Sequence, residues 1–223
     1  MTMMRAVVLP SVGPPDVLRQ TKLQRPSPGP GQVLVEMMAT SVSPLDCEQR
    51  AGRVSRVLPG GRPQVLGHDV AGVIAALGPG VDKLSIGLPV MGLRALQHPG
   101  TYAEFVTLPA DAVTKKPSRL SFVEAATLPL SGTVALQAIR DRGRLQSGQA
   151  LLVNGAAGGI GSLAVQIGKA LGAVVTGVCS GDSAELVRSL GVDQVLDFEK
   201  EDLSTLTGTF DVVLDTSGQL TLD

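Results

Sequence analysis

The chain has 223 residues, 43% of them hydrophobic, which is enough apolar material for one large domain or two modest ones. A formal net charge of −1 removes the electrostatic reason to expect nucleic acid or an anionic membrane as a partner. No apolar run is long enough to span a bilayer. Aromatic residues make up 2%, with no Trp and one Tyr, so the core has to be built from Val, Leu, Ile, Ala and Met. The two cysteines, Cys47 and Cys179, lie too far apart in sequence to suggest a metal knuckle or a redox pair, and a reducing compartment is the simpler reading. The first ten residues carry one Arg and an apolar run too short for a signal sequence, so the expected location is the cytoplasm.

No internal repeat or low-complexity tract is present. The first ~120 residues read as short strands cut by Gly and Pro. The candidates are Arg5–Leu9, Gln32–Met38, Val70–Leu77 and Tyr102–Leu108, joined by turns such as Ser27-Pro28-Gly29-Pro30-Gly31 and Gly78-Pro79-Gly80. This texture predicts a small β-barrel. It changes at Ser121, which forms a capping-box pattern with Glu124 and opens a helix that Pro129 interrupts. A second helical stretch is predicted over Thr133–Arg140. Strands are then expected at Ala150–Asn154, Val174–Cys179, Gln194–Phe198 and Phe210–Asp215, with helices at Ile160–Leu171 and Ala184–Leu190. Such alternation argues a parallel sheet covered by helices. Two domains are expected, residues 1–120 and 121–223.

The strongest chemical signal is Asn154-Gly155-Ala156-Ala157-Gly158-Gly159-Ile160-Gly161, between an apolar strand and an amphipathic helix. Gly158 and Gly159 let backbone approach a pyrophosphate, and Gly161 lets the helix sit close to the strand. The helix N-terminus offers unpaired N–H groups and a positive dipole end. Ala156 stands at the first glycine of G-x-G-x-x-G, so the motif is incomplete, and a tight turn without a ligand is the competing reading. The expected dinucleotide contacts here are Ala157, Gly158, Gly159, Ile160 and Gly161. The second strand ends at Cys179-Ser180, where a hydroxyl replaces the acidic residue of many NAD enzymes, and Ser180 would tolerate a 2′-phosphate. Asp182 follows and would repel that phosphate, but Asp182 and Glu185 also have the spacing of a capping box. NADPH is the preferred cofactor, with NADH as the alternative.

Three further segments accompany this turn: Leu66-Gly67-His68-Asp69-Val70-Ala71-Gly72-Val73-Ile74 with Gly78-Pro79-Gly80-Val81, Gly100-Thr101-Tyr102-Ala103-Glu104-Phe105, and Ala125-Ala126-Thr127-Leu128-Pro129-Leu130-Ser131-Gly132-Thr133. In this order they resemble the medium-chain dehydrogenase/reductase superfamily over essentially the whole chain, and the zinc-independent quinone oxidoreductases in particular. The resemblance implies a GroES-like β-barrel domain followed by a Rossmann doubly wound parallel sheet, with substrate in the cleft between them. It implies reduction of a quinone or an α,β-unsaturated carbonyl by NAD(P)H. Ser43 stands where the zinc-dependent relatives have a catalytic Cys; His68 is kept, and two Cys cannot form a four-Cys structural site, so no metal is expected.

The resemblance assigns Ser43 and Asp46 to the substrate side of the nicotinamide, although Asp46 equally fits a loop pin. It places the Thr133 hydroxyl toward the nicotinamide ring, Phe198 where relatives have a Tyr touching the adenosine, and Ser131 and Thr216 among the cofactor contacts. The basic residue that relatives often carry at position 182 is missing. The spacing Gly155-x-x-x-Gly159-x-Gly161 also fits short-chain dehydrogenases, but Tyr102 has Val106 rather than Lys four residues on. The Tyr that enoyl-thioester reductases carry near position 52 is absent as well.

In the strand order 3-2-1-4-5-6, strands five and six would lie beyond Asp223, so the Rossmann sheet is expected to be incomplete. Phe210–Asp215 would then be an exposed edge, and the strand that usually makes the family dimer would be missing. The alternative function is a non-catalytic dinucleotide-binding or interaction module.

Overall fold

A computed structural model describes residues 2–54, 64–201 and 209–218. The chain forms two compact units, Met1–Leu130 and Ser131–Asp223.

In the first unit, β3 (Gln32–Ala39), β5 (Asp69–Leu77), β6 (Pro89–Leu93), β7 (Phe105–Pro109) and β8 (Val113–Lys115) form an antiparallel sheet in the order β7-β3-β5-β6-β8. A smaller sheet has the order β2-β1-β4, from β1 (Met3–Leu9), β2 (Arg19–Gln24) and β4 (Gln64–Val65). Alternating apolar side chains explain the larger sheet: Val33, Val35, Val70, Ile74, Val90, Val106 and Leu108 close one core. Irregular pairing of β3 with β5 at Leu34/Val35 and Met37/Ala39 adds twist, as closure of a small barrel requires.

The strand expected over Tyr102–Leu108 starts later, at Phe105. Residues 102–104 are spent joining the two sheets. Val7 donates to the Tyr102 carbonyl at 2.8 Å, Glu104 to Arg5 at 3.0 Å, and Met37 to Glu104 at 2.8 Å. The capping box at Ser121 is formed as expected and starts α2 (Phe122–Ala125). Ala125 and Ala126 pack with Ala71, so this short helix belongs to the core of the first unit.

In the second unit, β9 (Ala150–Asn154), β10 (Val174–Cys179), β11 (Gln194–Asp197) and β12 (Val212–Asp215) form a parallel sheet in the order β11-β10-β9-β12. Leu151, Val153, Val175 and Val187 lie in the core on one face; Leu152, Val178 and Leu196 are buried on the other. Burial on both faces is why β9 reads as a continuous apolar run. Two helices follow strands here, α4 (Gly159–Ala170) and α5 (Ala184–Ser189). α3 (Pro129–Leu136) begins at the proline expected to interrupt a helix, because proline's missing N–H and fixed φ suit a first turn. The helix continues as a π-helical stretch over Gln137–Arg142. Val213 on β12 is 52% exposed. Among the described residues, no helix is long and apolar enough to cross a membrane.

Candidate functional site

The carboxyl ends of β9, β10, β11 and β12 lie along one edge of the second sheet, with β9 between β10 and β12. This is the edge at which open α/β sheets bind ligands. β9 ends at Asn154, and Gly155 turns the chain at φ 82°. A Cβ on Gly155 would lie 2.5 Å from Thr216 Oγ1, and one on Gly161 would lie 2.1 Å from the Gly155 carbonyl oxygen. Neither position has room for a side chain. Gly159 is different: the nearest atom to an added Cβ is Ser131 Oγ at 3.5 Å, an ordinary contact.

Gly158 is the N-cap of α4 and contributes no side-chain cap. The first N–H groups of a helix have no acceptor within it, so those of α4 remain available at this edge. With twelve residues, α4 has a full dipole behind them. These features fit a dinucleotide pyrophosphate on chemical grounds: uncapped amides, a positive helix end and a glycine turn that admits close approach.

The structure brings most of the expected cofactor residues to this edge. Ala157, Gly158, Gly159, Ile160 and Gly161 form the turn and first helical residues. Ser131 lies beside Gly159. Thr216 Oγ1 donates to the Asn154 carbonyl at 2.8 Å, which ties the end of β12 to the turn. Ser180 follows the last residue of β10, and its hydroxyl lies 3.3 Å from Ser183 Oγ. Phe198 follows β11 and is 52% exposed. Thr133 is half-buried on α3.

The capping box expected between Asp182 and Glu185 is absent. A 3-10 turn over Gly181–Ser183 precedes α5, so Ser183 occupies its N-cap and no side chain caps it. Glu185 therefore stands one position too early to complete a box, and Asp182 is exposed. Two contributions at this edge carried no motif in the sequence. The Asn154 amide nitrogen donates to Asp215 Oδ1 at 2.9 Å and to Ser217 Oγ at 2.8 Å. Lys200 and Asp197 flank Gly181. These partners lie outside the glycine motif, at or just after the ends of β12 and β11, about sixty and forty residues further along the chain.

In the first unit, Ser43 caps α1 (Pro44–Ala51) and forms a complete capping box with Asp46. Asp46 is 3% exposed. One of its oxygens accepts from the Ser43 N–H at 2.8 Å and the Ser43 hydroxyl at 2.7 Å; the other accepts from the Gly67 N–H at 3.1 Å. The two roles left open for Asp46 are thus unequally supported: its carboxylate is occupied in pinning the 43–46 turn to the Gly67 segment. His68 is buried, with Nε2 3.2 Å from Gln49 Nε2, and burial holds its pKa below the ordinary histidine value. Asp69 is also buried and accepts from the Leu130 N–H at 2.7 Å and from the Ser41 hydroxyl. Burial raises its pKa, against the lowering effect of those donors. Among the described residues, no group of three or more His, Cys, Asp or Glu side chains is arranged to hold a metal ion.

Comparison with known proteins agrees with this geometry. Residues 29–118 match the family described as "Alcohol dehydrogenase GroES-like domain", and residues 159–223 match "Zinc-binding dehydrogenase". The chain is 36% identical to a 2-methylene-furan-3-one reductase of Solanum lycopersicum, over 97% of this chain and 58% of that protein. It is 34% identical to a chloroplastic NADPH-dependent alkenal/one oxidoreductase of Arabidopsis thaliana, over 96% of this chain and 58% of that protein. The chain thus spans somewhat over half the length of these curated relatives. Among solved structures, the quinone oxidoreductase from Coxiella burnetii superposes with a TM-score of 0.89 at 33% identity, covering 97% of this chain and 69% of that one. With a GroES-like unit, a Rossmann-type parallel sheet and this similarity along nearly its whole length, the chain belongs to the medium-chain dehydrogenase/reductase superfamily, in its quinone oxidoreductase branch.

Proposed function

We propose that this chain binds NADPH and, as an oxidoreductase, reduces a quinone or an α,β-unsaturated carbonyl without a catalytic zinc ion. The observation that carries the reading is the uncapped N-terminus of α4 behind the Gly155–Gly161 turn, with Ser131 and Thr216 beside it. When bound, the reduced nicotinamide supplies the hydride. The protein's part is to bind and orient. The amides of Gly159, Ile160 and Gly161 hold the pyrophosphate, and Gly158 and Ala157 keep the approach low. Ser131 and Thr216 hydroxyls border the turn, Ser180 serves the adenosine ribose, and the exposed Phe198 ring offers a stacking face for adenine. The Thr133 hydroxyl orients the nicotinamide amide.

Ser43 contributes on the substrate side, and Asp46 acts through it as a positioning residue. Zinc independence is supported by Ser43 at the position of a thiolate ligand in zinc-dependent relatives, and by its engagement with Asp46. Relatives named for alkenal/one and quinone reduction support this substrate class. A cytoplasmic location belongs to the same proposal and is tested by cell fractionation.

The test is titration of the purified chain with NADPH, followed by addition of a quinone or an enone while the reduced-nicotinamide absorbance is recorded. Saturable binding and steady loss of absorbance are expected, unchanged by a chelator. Saturable binding without turnover would leave a non-catalytic dinucleotide-binding module. Failure to bind either reduced dinucleotide would overturn the proposal.

A further inference from the structure

The end of β10 is bordered by a turn from the neighbouring strand. Asp197 closes β11 opposite Cys179 in parallel register. Residues 198–201 then fold back: the Phe198 N–H donates to the Cys179 carbonyl at 3.2 Å, and the Lys200 and Glu201 N–H groups donate to the Asp197 carbonyl at 3.0 and 2.8 Å. This turn delivers the Lys200 ammonium to the side of Gly181. A Cβ built on Gly181 would lie 3.3 Å from Lys200 Nζ and 2.7 Å from Asp197 Oδ2. Lys200 is held by Asp197 at 2.8 Å, yet its side chain is 76% exposed while that of Asp197 is 12% exposed. The lysine is therefore the solvent-facing partner of the pair, and Asp197 the buried one.

Its surroundings are acidic and polar. The Gly181 N–H donates to Glu199 Oε2 at 3.4 Å, and Asp182 is the next residue. Ser180 precedes Gly181, with Ser183 3.3 Å from its hydroxyl. Asp182, Asp197 and Glu199 together would repel an added anion here. Lys200 supplies the opposing charge, from the turn after β11, whereas the basic residue that relatives often carry at position 182 would follow β10.

We propose that Lys200 selects NADPH over NADH, its ammonium pairing with the 2′-phosphate while the Ser180 and Ser183 hydroxyls donate to the same group. This inference rests on the dinucleotide reading of the glycine turn. Gly181 keeps the approach open, since any side chain there would meet Asp197 first. Asp197 parks the lysine when no phosphate is present and shares it when one is.

The experiment measures dissociation constants of NADPH and NADH for the full 223-residue chain and for Lys200→Gln, Lys200→Arg and Arg188→Gln. Arg188 is the control, because its charge also reaches Cys179 at the end of β10. Wild type is expected to bind NADPH about tenfold or more tightly than NADH, the scale of one charge-assisted contact. Lys200→Gln should raise the NADPH constant by about tenfold and leave the NADH constant within about twofold, while Lys200→Arg keeps the preference. Thermal unfolding of Lys200→Gln should match wild type, as expected for an exposed side chain. An unchanged NADPH/NADH ratio in Lys200→Gln, or loss of the ratio in Arg188→Gln instead, overturns the assignment while the dinucleotide reading stands. Wild-type protein that binds neither dinucleotide would bring down the dinucleotide reading and this inference together.

Discussion

Gly161 sits so close to the Gly155 carbonyl oxygen that a Cβ added to it would fall 2.1 Å away, whereas one added to Gly159 two residues earlier meets nothing nearer than Ser131 Oγ at 3.5 Å. The two glycines therefore separate folding from binding. Gly161→Ala forces the first turn of α4 away from the β9 turn, and should cost a few kcal/mol of stability, on the order of 1–3, together with dinucleotide binding. Gly159→Ala should unfold at the wild-type temperature yet bind dinucleotide more weakly. Thermal unfolding and titration of both variants check this. Wild-type affinity in Gly159→Ala would show that close approach at Gly159 is not what holds the dinucleotide.

Asp46 holds three donors in a nearly water-free position. Asp46→Ala leaves the Gly67 N–H and the Ser43 group without their acceptor and should destabilise the chain by about 1–3 kcal/mol. Ser43→Ala removes the cap but leaves Asp46 bonded to two backbone amides, and should cost about 1 kcal/mol. Urea unfolding measures both. Equal losses would show that the carboxylate is not the centre of this network.

His68 predicts a pH dependence. Burial lowers its pKa from 6.5, so the folded state resists protonation and the unfolded state does not. A depressed folded pKa contributes stability that is present above 6.5 and lost as pH falls through the lower folded value. Asp69 has the opposite sign: its folded pKa is raised from 3.8, so its contribution is present at acid pH and lost as pH rises. The melting temperature of His68→Gln relative to wild type should therefore improve steadily as pH is lowered from about 7 to about 5. Differential scanning across that range provides the check; parallel curves would refute it.

Leu151 is fully buried on β9 and packs under α4, where a Cβ on Gly168 would lie 2.7 Å from its Cδ2. Leu151→Ala opens a cavity beneath the helix whose N-terminus forms the site, and should cost about 2–5 kcal/mol. Equilibrium unfolding gives the loss directly. At temperatures where the variant stays folded, its NADPH affinity should remain close to wild type, because the glycine turn is built by backbone contacts at the other end of β9.

Local chemistry made much of this protein legible from its residues alone. The Val- and Leu-rich run at β9, the glycine turn and the amphipathic period of α4 together specify a strand–turn–helix, because each element's pattern follows from its own burial. The capping box at Ser121 was readable for the same reason, being a bond between residues three apart. Other features were settled only by the tertiary fold. Residues 102–104 look like strand but are diverted to bridge two sheets. Asp182 and Glu185 have capping-box spacing, yet the 3-10 turn before α5 displaces them. Asp46 acquires its third donor from Gly67, and Lys200 reaches Gly181 only because β10 and β11 run parallel in register. Spacing along the chain reports interactions within a turn or a helix. Contacts made where separate strands end depend on topology and register, which no single segment encodes.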